Sequence, residues 1–150
     1  MSVQVRNLRK GETLPPDLQA HGMAYLIPEW AWVVEPAPPT DPIAILTAPA
    51  PIPFALIVGG QVHSWLLLSR VVASSPLPET IPLTWFLEAL PQVFDEARSR
   101  GCVGFLTLLA DNRPEEVRLA RIVAGMPGCK ILPFQGSMGF GPLVGEEVTQ

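Results

Sequence analysis

Apolar and polar positions follow one another along this chain in patterns that change period several times. Val3 and Val5 alternate with Gln4 and Arg6, and this period of two predicts a first strand over Ser2–Leu8. Pro15-Pro16-Asp17-Leu18 predicts one short helix opened by proline. Tyr25–Val34 is rich in Trp, Ile and Val and predicts a strand broken near Pro28. Ile43–Thr47 and Phe54–Val58 are apolar bursts between prolines and predict short antiparallel strands. Gly59-Gly60-Gln61 then predicts a turn. Val62–Ala73 is the longest strand-like run. Trp65-Leu66-Leu67-Leu68 and Val71-Val72-Ala73 predict a central strand covered on both faces.

The period changes to that of a helix at Leu83. Leu83, Phe86, Leu87, Leu90, Phe94 and Ala97 fall at helical spacing up to Arg100, and Pro91 predicts a kink or a split. Gly101 ends that helix. Val103–Leu109 is again an apolar run of strand length. Asp111-Asn112-Arg113 leads into a helix with Pro114 at its first position and Glu115-Glu116 in its first turn, running to Met126. Lys130–Phe134 predicts a strand, Gly136–Gly141 a glycine-rich turn, and Phe140–Val144 a hairpin return. Leu67, Val71, Leu87, Phe94, Phe105, Leu108 and Ile122 are the expected core.

This order predicts an α+β (α/β) layout in one domain over residues 1–150. Its sheet is mixed, with about six or seven strands, and two main helices lie in the C-terminal half. Val62–Ala73 and Val103–Leu109 are expected to lie parallel and adjacent, with the Leu83–Arg100 helix as a right-handed crossover.

Composition narrows the function classes. Of 150 residues, 48% are hydrophobic and 16% charged, which excludes a disordered chain. No apolar run reaches the length of a membrane helix, and Met1–Lys10 carries no secretory signal, so a cytoplasmic setting is expected. The net charge of −4 and scattered basic residues argue against a nucleic-acid partner; Arg6, Arg9 and Lys10 form a local basic cluster at a strand end. Cys102 and Cys129 are expected to be inert buried thiols. No metal is expected from two histidines without ligand spacing. Seven of the 18 prolines fall between Pro36 and Pro53, so that stretch is edge strand, bulge or loop.

The run from Val62 to Leu143, helix–strand–helix–strand after a long strand, resembles the GNAT superfamily of N-acyltransferases. That resemblance implies an acyl-CoA lying in a splay beside the fourth strand. It also implies a pyrophosphate bound by backbone N–H groups of a loop reading roughly Gln/Arg-x-x-Gly-x-Gly/Ala. The matching segment here is Ser74-Ser75-Pro76-Leu77-Pro78-Glu79-Thr80-Ile81-Pro82, with no glycine between Val62 and Arg100. Its prolines lack the N–H that an anion loop uses, and Glu79 adds negative charge. Many members use a tyrosine on the last helix as general acid. Here the only tyrosine is Tyr25, and the Pro114–Met126 helix has none. His63 and Ser64 are the base candidates on the long strand, without a third partner.

A protein without conventional catalysis and without a cofactor is therefore expected: a GNAT-like binding or assembly protein, of the kind found among bacteriophage virion components. It would act in the host cytoplasm or the virion. The alternative is an acyl-CoA-dependent N-acyltransferase with an atypical loop. Val72, Ser74, Thr80 and Asn112 are then the acyl-CoA candidates, and no catalytic residue is assigned. Trp30 and Trp32, at period two on one strand, together with Ile43 and Ile52, are expected to meet a protein partner or a second copy.

Overall fold

The structure, a computed structural model, describes residues 2–19, 27–74, 76–109, 114–126, 130–134 and 136–142. Among these described residues, seven strands form one sheet in the order β1-β2-β3-β4-β5-β7-β6. They are β1 (Val3–Asn7), β2 (Ala31–Pro36), β3 (Ala55–Val62), β4 (Trp65–Ala73), β5 (Gly104–Leu109), β6 (Lys130–Phe134) and β7 (Gly136–Pro142). The β1–β2, β2–β3 and β3–β4 pairs are antiparallel. The β4–β5 pair is parallel, as the sequence predicts, and the chain passes between them through α2 (Trp85–Ser99). Helix α3 (Pro114–Ala124) follows β5. The predicted glycine-rich turn over Gly136–Gly141 is instead β7, which lies between β5 and β6 and pairs with both.

Helix α2 builds most of the core. Trp85, Phe86, Ala89, Leu90, Val93, Phe94 and Ala97 are buried on it at helical spacing. They meet Val3, Trp32, Val34, Ile57, Leu66, Leu68, Val71 and Phe105 from the sheet. Phe94 stacks on Phe105 with ring centroids 5.0 Å apart. Pro91 does not split α2. The carbonyl it leaves without an amide belongs to Leu87, which is 57% exposed, so water can meet it. Gln92 and Glu88 of α2 also cover the outer edge of β1. The Val5 N–H donates to Gln92 Oε1 at 2.9 Å, Gln92 Nε2 donates to the Val3 carbonyl at 3.3 Å, and the Ser2 N–H donates to Glu88 Oε1 at 2.6 Å.

The opposite face of β2 packs on a smaller cluster. Leu8, Leu14 and Leu18 there meet Ala31, Val33 and Leu56. The strand covered on both faces is therefore β2, buried from Ala31 through Glu35, and not β4.

Two segments differ from their prediction. Ile43–Thr47 is not a strand but part of a short helix, α1 (Pro42–Thr47). The Asp41 carboxylate accepts from the Ile43 N–H at 3.1 Å, and Pro42 fills the first helical position. This start signal outweighs the β preference of the isoleucines. The β3–β4 hairpin turns at His63-Ser64 rather than at Gly59-Gly60. Gly59 is needed inside the strand: a Cβ there would sit 2.3 Å from the Leu67 carbonyl oxygen.

Candidate functional site: a gap between β4 and β5

The gap starts from one extra residue. Val58 pairs with Arg70, but Gly59 pairs with Leu68, so Ser69 has no partner on β3. Its hydroxyl donates to the Val58 carbonyl at 3.1 Å. Such a bulge bends its strand and increases the local twist. Burial along β4 changes parity at this point. Leu66 and Leu68 are buried before the bulge and Val71 after it, while Leu67 is only half-buried.

The other edge of β4 changes at the same place. Its parallel register with β5 covers Trp65↔Gly104, Leu66↔Phe105, Leu67↔Leu106 and Leu68↔Thr107, and ends there. From Ser69 to Ala73, β4 has no registered partner on the β5 side, whereas β5 continues to Leu109 on β7. An unpaired strand edge presents backbone N–H and C=O groups to whatever enters beside it. Thr107 marks the closed end. It is fully buried, and its hydroxyl has no hydrogen-bond partner among the described residues.

Beyond β4 lies the loop from Ser74 to Thr84. Pro76, Pro78 and Pro82 carry no N–H. The Ser74 N–H donates to the Phe54 carbonyl at 2.7 Å and the Ile81 N–H to the Pro78 carbonyl at 3.0 Å. The amides that remain are the loop's own donors for an anion. The start of α2 adds to them, because Thr84 makes no side-chain cap.

The four sequence-predicted ligand residues separate. Val72 lies in the freed half of β4, half-buried, and packs toward the smaller cluster. Ser74 follows it, with its N–H used as above and its hydroxyl 3.4 Å from the Pro76 carbonyl. Thr80 is exposed in the loop. Asn112 lies outside the described residues, as do Tyr25, Asp111 and Cys129. His63 and Ser64 form an exposed turn at the end of β4 away from the gap. His63 has φ 55°, the left-handed conformation that favours glycine.

Among the predicted partner residues, Trp32 is buried at 1% exposure and so offers no surface. Trp30 meets it edge to face at 5.9 Å from a 3₁₀ turn, and the Arg100 guanidinium lies 4.8 Å from the Trp30 ring. Ile43 and Ile52 are 72% and 71% exposed.

Several other charged or nucleophilic groups are bound up in the fold. Arg6 donates to Glu12 at 2.9 and 2.8 Å and to buried Glu35 at 3.2 Å, so it is not free for a phosphate. The Arg6 hydrogen bonds hold the Glu12 carboxyl down at about 2, and the same partners raise the Arg6 guanidinium. Cys102 is 3% exposed and burial pushes its thiol up, which fits an inert thiol. Glu116, expected only to complement a helix dipole, is buried at 1% exposure in the first turn of α3. Among the described residues no group of three potential ligands could hold a metal, and no helix is long and apolar enough to cross a membrane.

No family model and no curated protein matches the sequence. Solved structures do match the fold. The ribosomal-protein-S18-alanine N-acetyltransferase of Escherichia coli is 12% identical and superposes with a TM-score of 0.56, over 99% of each chain. Ard1 from Thermoplasma volcanium is 10% identical, with a TM-score of 0.56 over 96% of this chain and 99% of that one. N-acetylglutamate synthase from Neisseria gonorrhoeae, in complex with coenzyme A and N-acetyl-glutamate, is 12% identical, with a TM-score of 0.56. This chain is covered to 95% and spans 35% of that chain. The fold is that of the GNAT N-acyltransferases.

At these identities the likeness carries the fold alone. It nevertheless corrects the functional expectation. A non-catalytic assembly protein of the virion type, without a cofactor, finds no support: among the solved structures that share this fold are a ribosomal-protein-S18-alanine N-acetyltransferase and an N-acetylglutamate synthase in complex with coenzyme A.

Proposed function

We propose that the protein is an acyl-CoA-dependent N-acyltransferase. The observation that carries this is the coincidence at Ser69. The bulge toward β3 and the end of pairing with β5 occur at one residue, which opens a backbone-lined gap without breaking the sheet. An extended amide-bearing chain, such as the pantetheine arm of an acyl-CoA, is chemically suited to an unpaired strand edge. The thioester would supply the acyl group, and an amine would receive it as the thiol departs. The residues present fit the arm better than the pyrophosphate. With three prolines and two bonded amides in the loop, the α2 N-terminus would supply the favourable field for the phosphates. Val72 and Ser74 border the arm in this reading, and Thr80 borders the phosphates. The work is that of one domain in the cytoplasm, and Ile43 and Ile52 support a protein contact beside the chemistry.

The test is an assay with acetyl-CoA and a panel of free amino acids, polyamines and peptides with free N-termini. Release of free thiol together with an acetylated amine is expected. Absence of both, with the protein folded, would remove the proposal.

A further inference from the structure

Strand β5 reads Gly-Phe-Leu-Thr-Leu-Leu, and Thr107 is its one polar side chain. Successive side chains of a strand alternate between the two faces, so Thr107 shares a face with Phe105. Helices cover that face: Phe105 stacks on Phe94 of α2, and α3 packs against β4, β5 and β7. Thr107 is fully buried there, and its hydroxyl has no hydrogen-bond partner among the described residues. A hydroxyl in that state costs stability, and valine, of nearly the same shape, would fill the place without the cost.

The position of Thr107 in the sheet gives the hydroxyl a use. Thr107 belongs to the last pair before β4 and β5 part. Beyond it, Ser69 to Ala73 of β4 have no registered partner on the β5 side. That freed segment spans roughly 17 Å of extended chain. A pantetheine arm, from its phosphate to its sulfur, has about as many chain atoms as four extended residues. An arm with its phosphates at the α2 start therefore brings its sulfur and acyl group to the closed end. The indole N–H groups of Trp32 and Trp85 are also unpaired, but neither residue lies on a strand that borders the gap.

Resting on the acyl-CoA reading above, we propose that the Thr107 hydroxyl donates a hydrogen bond to the carbonyl oxygen of the bound thioester. Thr107 is then the side chain that distinguishes an acyl-CoA from free coenzyme A. A thiol offers only a weak acceptor at the same place, and leaves the hydroxyl nearly as unpaired as before. A donor aimed at that oxygen also makes the carbonyl carbon more open to attack. As the amine nitrogen bonds to that carbon, the C–S bond breaks. The proton that nitrogen gives up ends on the departing sulfur, and Thr107 keeps its own.

Calorimetric titration of the full chain with acetyl-CoA and with coenzyme A tests this, in the parent, Thr107→Val and Thr107→Ser. The infrared stretch of acetyl-CoA isotope-labelled at its carbonyl carbon is read in the same three proteins. The parent is expected to lower the carbonyl frequency on binding. Thr107→Val should return it toward the free value and weaken acetyl-CoA binding ~3- to 10-fold, with the affinity for coenzyme A unchanged. Thr107→Ser should keep the parent's frequency and affinity. A frequency shift and an acetyl-CoA affinity that survive in Thr107→Val would overturn the proposal while the acyl-CoA reading stands. An equal loss of both ligands would place the hydroxyl on the arm, and equal losses in the valine and serine variants would assign the effect to packing; either overturns it. A parent that binds neither ligand would overturn both readings.

Discussion

Leu68 and Thr107 are the last registered pair between β4 and β5, and the Ser69 bulge begins at the next residue. One local irregularity therefore coincides with the start of the gap, and the buried Thr107 hydroxyl belongs to the last pair at its closed end. Thr107→Val tests that end. Burying a hydroxyl without a partner costs roughly 1–3 kcal/mol, so the substitution should leave the free protein as stable or raise it by about 1 kcal/mol. Thermal unfolding reads this directly. A loss above about 1 kcal/mol would show that the hydroxyl is already bonded.

The Glu79 carboxylate is exposed in the loop beyond β4. Acyl-CoA phosphates would meet its charge there. Glu79→Lys should tighten acetyl-CoA binding roughly 2- to 5-fold at low salt, in line with exposed charge pairs. The gain should fade above physiological ionic strength. An unchanged affinity at low salt would place the phosphates elsewhere.

Phe105 is fully buried and stacks on Phe94. Phe105→Ala should destabilise the fold by about 3–5 kcal/mol in denaturant unfolding. A value below about 1 kcal/mol would contradict the packing of α2 on β5.

Much of this architecture is legible in the chain, and the misreadings share physical causes. The parallel β4–β5 pair and the long helix between them follow from two apolar runs and a helical period. The bulge hides the register of β4. Buried residues change from even to odd positions across Ser69, so Leu66, Leu68 and Val71 look like a strand apolar on both faces. The Gly59-Gly60 pair carries a turn signal, yet Gly59 serves the close approach of the Leu67 carbonyl. Leu87 matches the helical period but faces outward, while Trp85 and Phe86 take the core. The gap itself has no sequence motif, because it is made from backbone register, and the missing glycine loop pointed away from it. Ile43 and Ile52 were legible as surface from the prolines around them; Trp32 was not, since its burial depends on α2.

The Glu12 carboxyl, held down at about 2 from 4.5 by Arg6, gives a pH dependence. A depressed carboxylate stabilises the fold above its ordinary value and loses that contribution as pH falls toward its folded value. Glu12→Gln should lower stability by about 1 kcal/mol at neutral pH, since the pair is partly exposed. The difference from the parent should close between pH 4.5 and about 2. A difference that stays constant over this range would mean that packing, not charge, holds Glu12.

His63, with φ 55° in an exposed turn, has no part in the chemistry proposed for the gap. His63→Gly should keep full acyl-transfer activity and raise stability by up to about 1 kcal/mol. Loss of activity with the fold intact would return it to the site.

The central claim is that the freed edge of β4 receives an acyl-CoA, and amide hydrogen exchange over Ser69–Ala73 tests it most directly. With millimolar acetyl-CoA present, those amides of the segment that are not bonded to β3 should exchange more slowly, while the His63-Ser64 turn stays as fast as before. Exchange over Ser69–Ala73 that is the same with and without acetyl-CoA would contradict the account.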